Sequence, residues 1–139
     1  MAPANRGDDV DRFILERIDS VSHLEALLLI WRSRPKRWSA DELGARIYLR
    51  TDATRNILQD LARQQLIAIV PETDDQYFFE TKSGDQDRLL GLVDDAYRKE
   101  LVRVSTMIHS KAPSSVREFA KAFRFVKGKD VKEKDKDKE

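Results

Sequence analysis

Residues 38–67 read WSADELGARIYLRTDATRNILQDLARQQLI, and their spacing decides the fold. Ser39 stands three residues before Glu42, so hydroxyl and carboxylate can each satisfy a free backbone N–H of the other and start a helix. Trp38, just ahead of the cap, is placed to pack on Leu43 as a hydrophobic staple. The spacing predicts a helix over 39–48 that turns Leu43 and Ile47 inward, then a short gap, then a helix over 51–65 that turns in Ile57, Leu58 and Leu61. Two short helices joined by a tight turn follow from these residues alone.

Downstream the period changes from helix to strand. Residues 67–70 and 77–81 are rich in β-branched and aromatic side chains, and the polar Thr73-Asp74-Asp75-Gln76 between them reads as a hairpin turn. One of the rings Tyr77, Phe78 and Phe79 must be partly exposed, because side chains alternate along a strand. Over 85–110 helical spacing returns, with Leu89, Val93, Tyr97, Leu101, Val104 and Ile108 on one face. A single helix there would be about 39 Å long at 1.5 Å per residue. Its apolar face exceeds what one small core covers, so the segment 83–110 is expected to pair two copies into a homodimer through these six residues.

Upstream, Ser22 and Glu25 repeat the capping pattern. A helix is expected over 22–33, with Leu24, Leu27, Leu28 and Trp31 at helical spacing and Leu29 and Ile30 widening the stripe until the helix is largely buried. Arg34-Pro35 ends it, because the residue before proline disfavours helical geometry. A shorter helix over 9–18 turns Phe13, Ile14 and Ile18 inward, and residues 1–8 are expected to be flexible. At the other end Ser115 and Glu118 show the same cap. A short helix over 114–126 sets Val116, Phe119, Ala120 and Phe123 among Arg117, Lys121, Arg124 and Lys127. Phe119, Phe123 and Arg124 are therefore candidate partner contacts, for a protein groove or an anionic surface. The alternative is that the two rings pack on their own domain or a dimer mate. Residues 127–139 alternate Lys with Asp or Glu and form an expected disordered, charged tail.

Composition narrows the chemistry. The 139 residues are 40% apolar and 37% charged, enough for one core under an unusually charged surface. There is no cysteine, which excludes disulfides, thiolate metal sites and cysteine nucleophiles. The longest apolar run, residues 26–31, is far below the roughly 18 residues of a membrane span. Asp8, Asp9 and Asp11 near the start do not resemble a signal peptide, so a cytoplasmic protein is expected. His23 and His109 have no second His, Cys or paired carboxylate at ligand spacing, and structural roles are expected for both. The five glycines are scattered and form no phosphate-cradling loop, while Asp94 and Asp95 diverge as neighbours on a helix. No catalytic residue, cofactor or metal is expected, and the chain is expected not to be an enzyme.

Three helices, a tight turn within the last pair and a β-hairpin directly after give the order of a winged helix-turn-helix domain, over 9–82. The predicted class is mainly α with a small β-hairpin: a winged helix-turn-helix core plus a long C-terminal helix. Trp38-Ser39-Ala40-Asp41-Glu42-Leu43-Gly44-Ala45-Arg46-Ile47, followed by Asn56-Ile57-Leu58-Gln59-Asp60-Leu61-Ala62-Arg63-Gln64-Gln65-Leu66-Ile67, resembles the core of bacterial winged-helix regulators such as the MarR family. The resemblance covers about residues 22–82. It implies a DNA-binding transcriptional regulator whose second helix of the pair enters the major groove, whose hairpin touches the flanking backbone, and which dimerises through helices outside that core. The sequence departs from the pattern twice. Gln65 stands where many relatives carry glycine, and the hairpin holds Glu72, Asp74, Asp75 and Glu80 with no Lys or Arg between Ile67 and Thr81.

On the 51–65 helix, Asp52, Arg55, Asn56, Gln59 and Arg63 share the face opposite Ile57, Leu58 and Leu61. Arg, Asn and Gln can each make two hydrogen bonds to a guanine or adenine edge, so Arg55, Asn56 and Gln59 are candidate base contacts. Arg63, Arg50 and Arg37 are candidate phosphate contacts; the plain alternative is a solvated helix face. Net charge does not choose between them: it is +1 overall, and residues 22–82 carry nine Lys or Arg against nine acids, where a dedicated nucleic-acid binder is usually clearly basic. The competing reading is a protein-interaction module that binds another bacterial regulator through the acidic hairpin or the basic 114–126 helix, without contacting DNA.

Overall fold

The computed structural model describes residues 6–111. The helix expected over 114–126, with Phe119, Phe123 and Arg124, and the 127–139 tail lie outside the described residues. Within them the order is α1 (Arg6–Arg17), α2 (Val21–Arg32), β1 (Trp38–Ser39), α3 (Ala40–Ile47), α4 (Thr51–Arg63), β2 (Ala68–Ile69), β3 (Gln76–Phe78), α5 (Gly84–Lys99) and α6 (Leu101–His109).

α1 begins earlier than its apolar spacing suggests, so residues 6–8 are helical; Asp8 and Asp9 in its first turn suit the positive end of the helix dipole. α2 is capped by Ser20 instead of Ser22. Ser20 has extended backbone and its hydroxyl accepts the His23 N–H at 3.1 Å, while Glu25, freed from capping, accepts the Tyr97 hydroxyl at 2.8 Å. Burial, and then the Glu25 carboxylate beside it, push the Tyr97 phenol up to about 12, so this tie between α2 and α5 keeps its proton at neutral pH. α3 carries the expected capping box: Ser39 Oγ accepts from the Glu42 N–H at 3.1 Å, and Glu42 Oε1 accepts from the Ser39 N–H at 3.3 Å.

Trp38 does more than staple that helix. It is buried and lies in β1, paired with Tyr77 of β3, and its indole N–H donates to Ser33 Oγ at 2.9 Å. The hairpin thereby becomes a three-stranded antiparallel sheet of order β1-β3-β2, with Ala68 opposite Phe78 and Ile69 opposite Tyr77. Tyr77 and Phe79 are buried and Phe78 is half-buried, the alternation a pleated strand imposes. This is a winged helix-turn-helix: α2, α3 and α4 form the helical core, and β2 and β3 form the wing. The core gathers Leu24, Leu27, Leu28 and Ile30 of α2 with Ile14, Ile18, Leu43, Leu58 and Leu61.

The exit from α4 has a regular form despite Gln65. The Leu66 N–H bonds the Leu61 carbonyl at 3.0 Å and the Gln65 N–H bonds that of Ala62 at 2.9 Å, the paired bonds of a Schellman cap. Gln65, at φ 63°, occupies the left-handed position that glycine usually fills. Arg17 then locks this corner, donating to the Gln64 side chain and carbonyl at 2.7 Å each.

After the wing, the single straight helix expected over 85–110 is two helices that meet at Glu100, whose φ and ψ of −129° and 51° leave the helical region. No Gly or Pro marks the break. Its cause is tertiary: α6 packs against α1 and α2 and brings Val104 and Ile108 into the core. Burying such a side chain contributes about 1.5–3 kcal/mol, against about 1 kcal/mol for a lost helical hydrogen bond. The stripe expected to face a second copy is therefore divided. Val93, Val104 and Ile108 are buried within one chain, Leu89 and Tyr97 are half-buried, and Leu101 is 51% exposed beside Val102 at 77%. Among the described residues no helix is long and apolar enough to cross a membrane.

Candidate nucleic-acid interface

α4 is held by one face and open on the other. Thr54, Ile57, Leu58 and Leu61 are buried, and Thr54 Oγ1 donates to the Arg50 carbonyl at 2.8 Å. Gly44 of α3 sits against this turn: a Cβ there would lie 2.7 Å from the Leu49 carbonyl oxygen and 2.8 Å from Thr54 Oγ1. Close approach of α3 to α4 thus depends on a missing side chain. The turn between them passes through Tyr48, at φ 62° and 92% exposed.

The solvent face presents Asp52, Asn56, Gln59 and Arg63 exposed and Arg55 half-buried, with Arg50 exposed at the cap and Arg37 exposed ahead of β1. The shared face inferred from the spacing is therefore present. The side chains of Asn56 and Gln59 hold no hydrogen bond among the described residues, so their amides are free to donate and accept.

The cations on this face are matched by carboxylates. Arg50 pairs with Asp52 at 3.0 Å, Arg55 with Asp75 of the wing at 3.4 Å, and Arg63 with Asp60. At the wing tip Glu72 and Asp74 are exposed, with Glu72 in left-handed backbone. The acidic wing therefore acts on α4 directly, by holding Arg55. Exposed ion pairs are worth about 0–1 kcal/mol and weaken with salt, so phosphates or base edges can displace these carboxylates. Nearer β1, Lys36 and Arg46 lie over the Trp38 ring at 4.7 and 5.6 Å.

His23 links the start of α2 to α4. Its Nδ1 is 2.6 Å from Ser20 Oγ, and its Nε2 is 2.8 Å from Asp60 Oδ2 on α4. Asp19 completes a cluster with them. Asp19 and His23 are four apart, but Asp60 lies far along the chain and no spacing signals it. His109 is exposed in the last turn of α6.

No family model matches the sequence, and no curated protein sequence matches it. Among solved structures, a MarR family protein from Bacillus stearothermophilus is similar over 93% of this chain and 87% of its own, at 16% identity and a TM-score of 0.48. The heme sensor protein PefR from Streptococcus agalactiae, solved in complex with heme, is similar over 89% of this chain and 85% of its own, at 15% identity and a TM-score of 0.47. The winged-helix assignment follows from the element order and sheet pairing of this chain itself.

Proposed function

We propose that this winged-helix protein is a non-enzymatic transcriptional regulator, working in the bacterial cytoplasm, that lays α4 in the major groove of double-stranded DNA. The observation that carries this reading is the pair of exposed, unengaged amides Asn56 and Gln59 on the solvent face of the second helix of the turn, flanked by Arg55 and Arg63. In this reading Arg55, Asn56 and Gln59 meet base edges, and Arg63, Arg50 and Arg37 meet phosphates. The wing contributes little attraction, because Glu72 and Asp74 repel the backbone.

Arg55→Ala is expected to weaken binding to the specific site by about 1–3 kcal/mol, roughly 5- to 150-fold, the worth of a bidentate base contact. Fluorescence anisotropy on the specific duplex and on random DNA checks it. Equal loss on both duplexes would make Arg55 a phosphate contact. No loss on either would move the interface off this face.

A second reading has its own support. Because Arg50, Arg55 and Arg63 are each paired with an acid, the face is close to charge-neutral, as suits a module that binds another regulatory protein.

The regulator reading includes a two-fold dimer, as symmetric DNA half-sites favour. Its proposed interface runs from Leu101 and Val102 at the start of α6 along α5 through Tyr97 and Leu89. There it meets an open groove of about 730 Å³ between α1 and α5, lined by Phe13, Leu89 and Leu92 together with charged residues of both helices, among them Arg12, Glu16 and Arg88. Val93, Val104 and Ile108 support that surface from inside.

A further inference from the structure

We infer that Asp19, His23 and Asp60 form a binding site for one divalent transition-metal ion of the zinc class. One imidazole nitrogen and one oxygen from each carboxylate all lie within 4.8 Å of one another. They come from three places: the link between α1 and α2, the first turn of α2, and the last turn of α4. Donors on one tetrahedral ion with bonds of about 2.0–2.1 Å are about 3.3 Å apart, so ion binding requires side-chain rotation that opens the 2.8 Å His23–Asp60 pair and closes the wider separations. An imidazole with two carboxylates is a donor set for zinc and its first-row neighbours, more than for calcium or magnesium.

The surroundings orient these donors. Ser20 Oγ, 2.6 Å from His23 Nδ1, has two lone pairs and already accepts the His23 backbone N–H. In the tautomer in which Ser20 Oγ also accepts Nδ1–H, the Nε2 lone pair faces Asp60 Oδ2, 2.8 Å away, and is available to an ion; in the other tautomer Nε2–H donates to that oxygen. The other Asp60 oxygen is held by Arg63, so each of these two donors is fixed through its second heteroatom, as outer-shell partners fix metal ligands. Three protein ligands leave further positions to water. The nearby Arg63 charge and the half-buried setting of all three residues place the affinity well below that of closed structural zinc sites, with a dissociation constant on the order of micromolar.

This inference shares Arg63 with the DNA-binding reading but does not rest on it, and it is tested without DNA. The full chain, stripped with chelator, is titrated with zinc chloride by calorimetry and with cobalt(II) by its visible absorption. One ion per chain is expected, with a cobalt spectrum of nitrogen and oxygen ligation and a thermal midpoint raised by several degrees at saturating zinc. His23→Gln and the near-isosteric Asp19→Asn are each expected to weaken binding tenfold or more while leaving the far-ultraviolet circular dichroism unchanged. His109→Gln is expected to leave binding intact. Zinc binding unchanged in His23→Gln and Asp19→Asn would overturn the site. Absence of any binding tighter than millimolar would do so too, and would leave only a proton between His23 and Asp60.

Discussion

Gly44→Ala is expected to lower the melting temperature by about 2–16 °C, from a net cost of about 0.5–2 kcal/mol, overpacking less the gain in helix propensity, and about 4–8 °C per kcal/mol for a domain near this size. The new Cβ would fall 2.7 Å from the Leu49 carbonyl oxygen and 2.8 Å from Thr54 Oγ1, and neither neighbour yields easily. The carbonyl belongs to the turn that sets the angle between α3 and α4. The Thr54 hydroxyl is buried and donates to the Arg50 carbonyl, so rotating it away strands a polar group in the core. Alanine is a better helix former than glycine by about 0.5–1 kcal/mol, which offsets only part of this. Gly91→Ala in α5 is the control, because its Cβ would meet the Trp31 ring at an ordinary 3.8 Å. There the propensity gain should appear as a small rise. Thermal unfolding followed by circular dichroism reads both, and a Gly44→Ala protein as stable as the parent would show that α3 and α4 do not approach as described.

Leu101→Glu is expected to convert a dimer into a monomer without unfolding it. Leu101 is 51% exposed in one chain, so a carboxylate there is solvated in the monomer and the fold is spared. In the proposed dimer the same carboxylate is buried without a partner, at a cost of several kcal/mol; 3 kcal/mol alone is more than 100-fold in dissociation constant. Sedimentation or light scattering at micromolar concentration should give twice the 16.1 kDa chain mass for the parent and the single chain mass for the variant. A parent that stays monomeric throughout removes the dimer. A dimer that survives the change has its interface elsewhere.

The parts of this fold legible in the sequence are those that local chemistry decides. Ser39 and Glu42 mark α3 because a cap is made within four residues, and Ile57, Leu58 and Leu61 orient α4 because helical period alone selects its buried face. Legibility fails where distant packing decides. β1 is two residues long, too short for alternation, and exists because Trp38 pairs with Tyr77. The break at Glu100 has no local breaker, since the burial of Val104 and Ile108 against α1 and α2 favours it. Ser20 and Ser22 are both competent caps, and the demand of Tyr97 for Glu25 removes one partner from the Ser22 pair. The candidate interface shows the same division. Helical spacing assembles Asn56, Gln59 and Arg63, whereas the grip of Asp75 on Arg55 depends on where the folded wing lies.

Binding of genomic DNA fragments at two salt concentrations tests the central claim most directly. Three phosphate contacts per chain, from Arg63, Arg50 and Arg37, make six in a dimer. Such an interface should bind at 50 mM salt and lose about 10³-fold in affinity by 200 mM as counterions return to the duplex. Failure to bind any fragment at 50 mM salt, where phosphate attraction is strongest, would contradict the regulator reading and leave the alternative of a protein-interaction module that does not contact DNA.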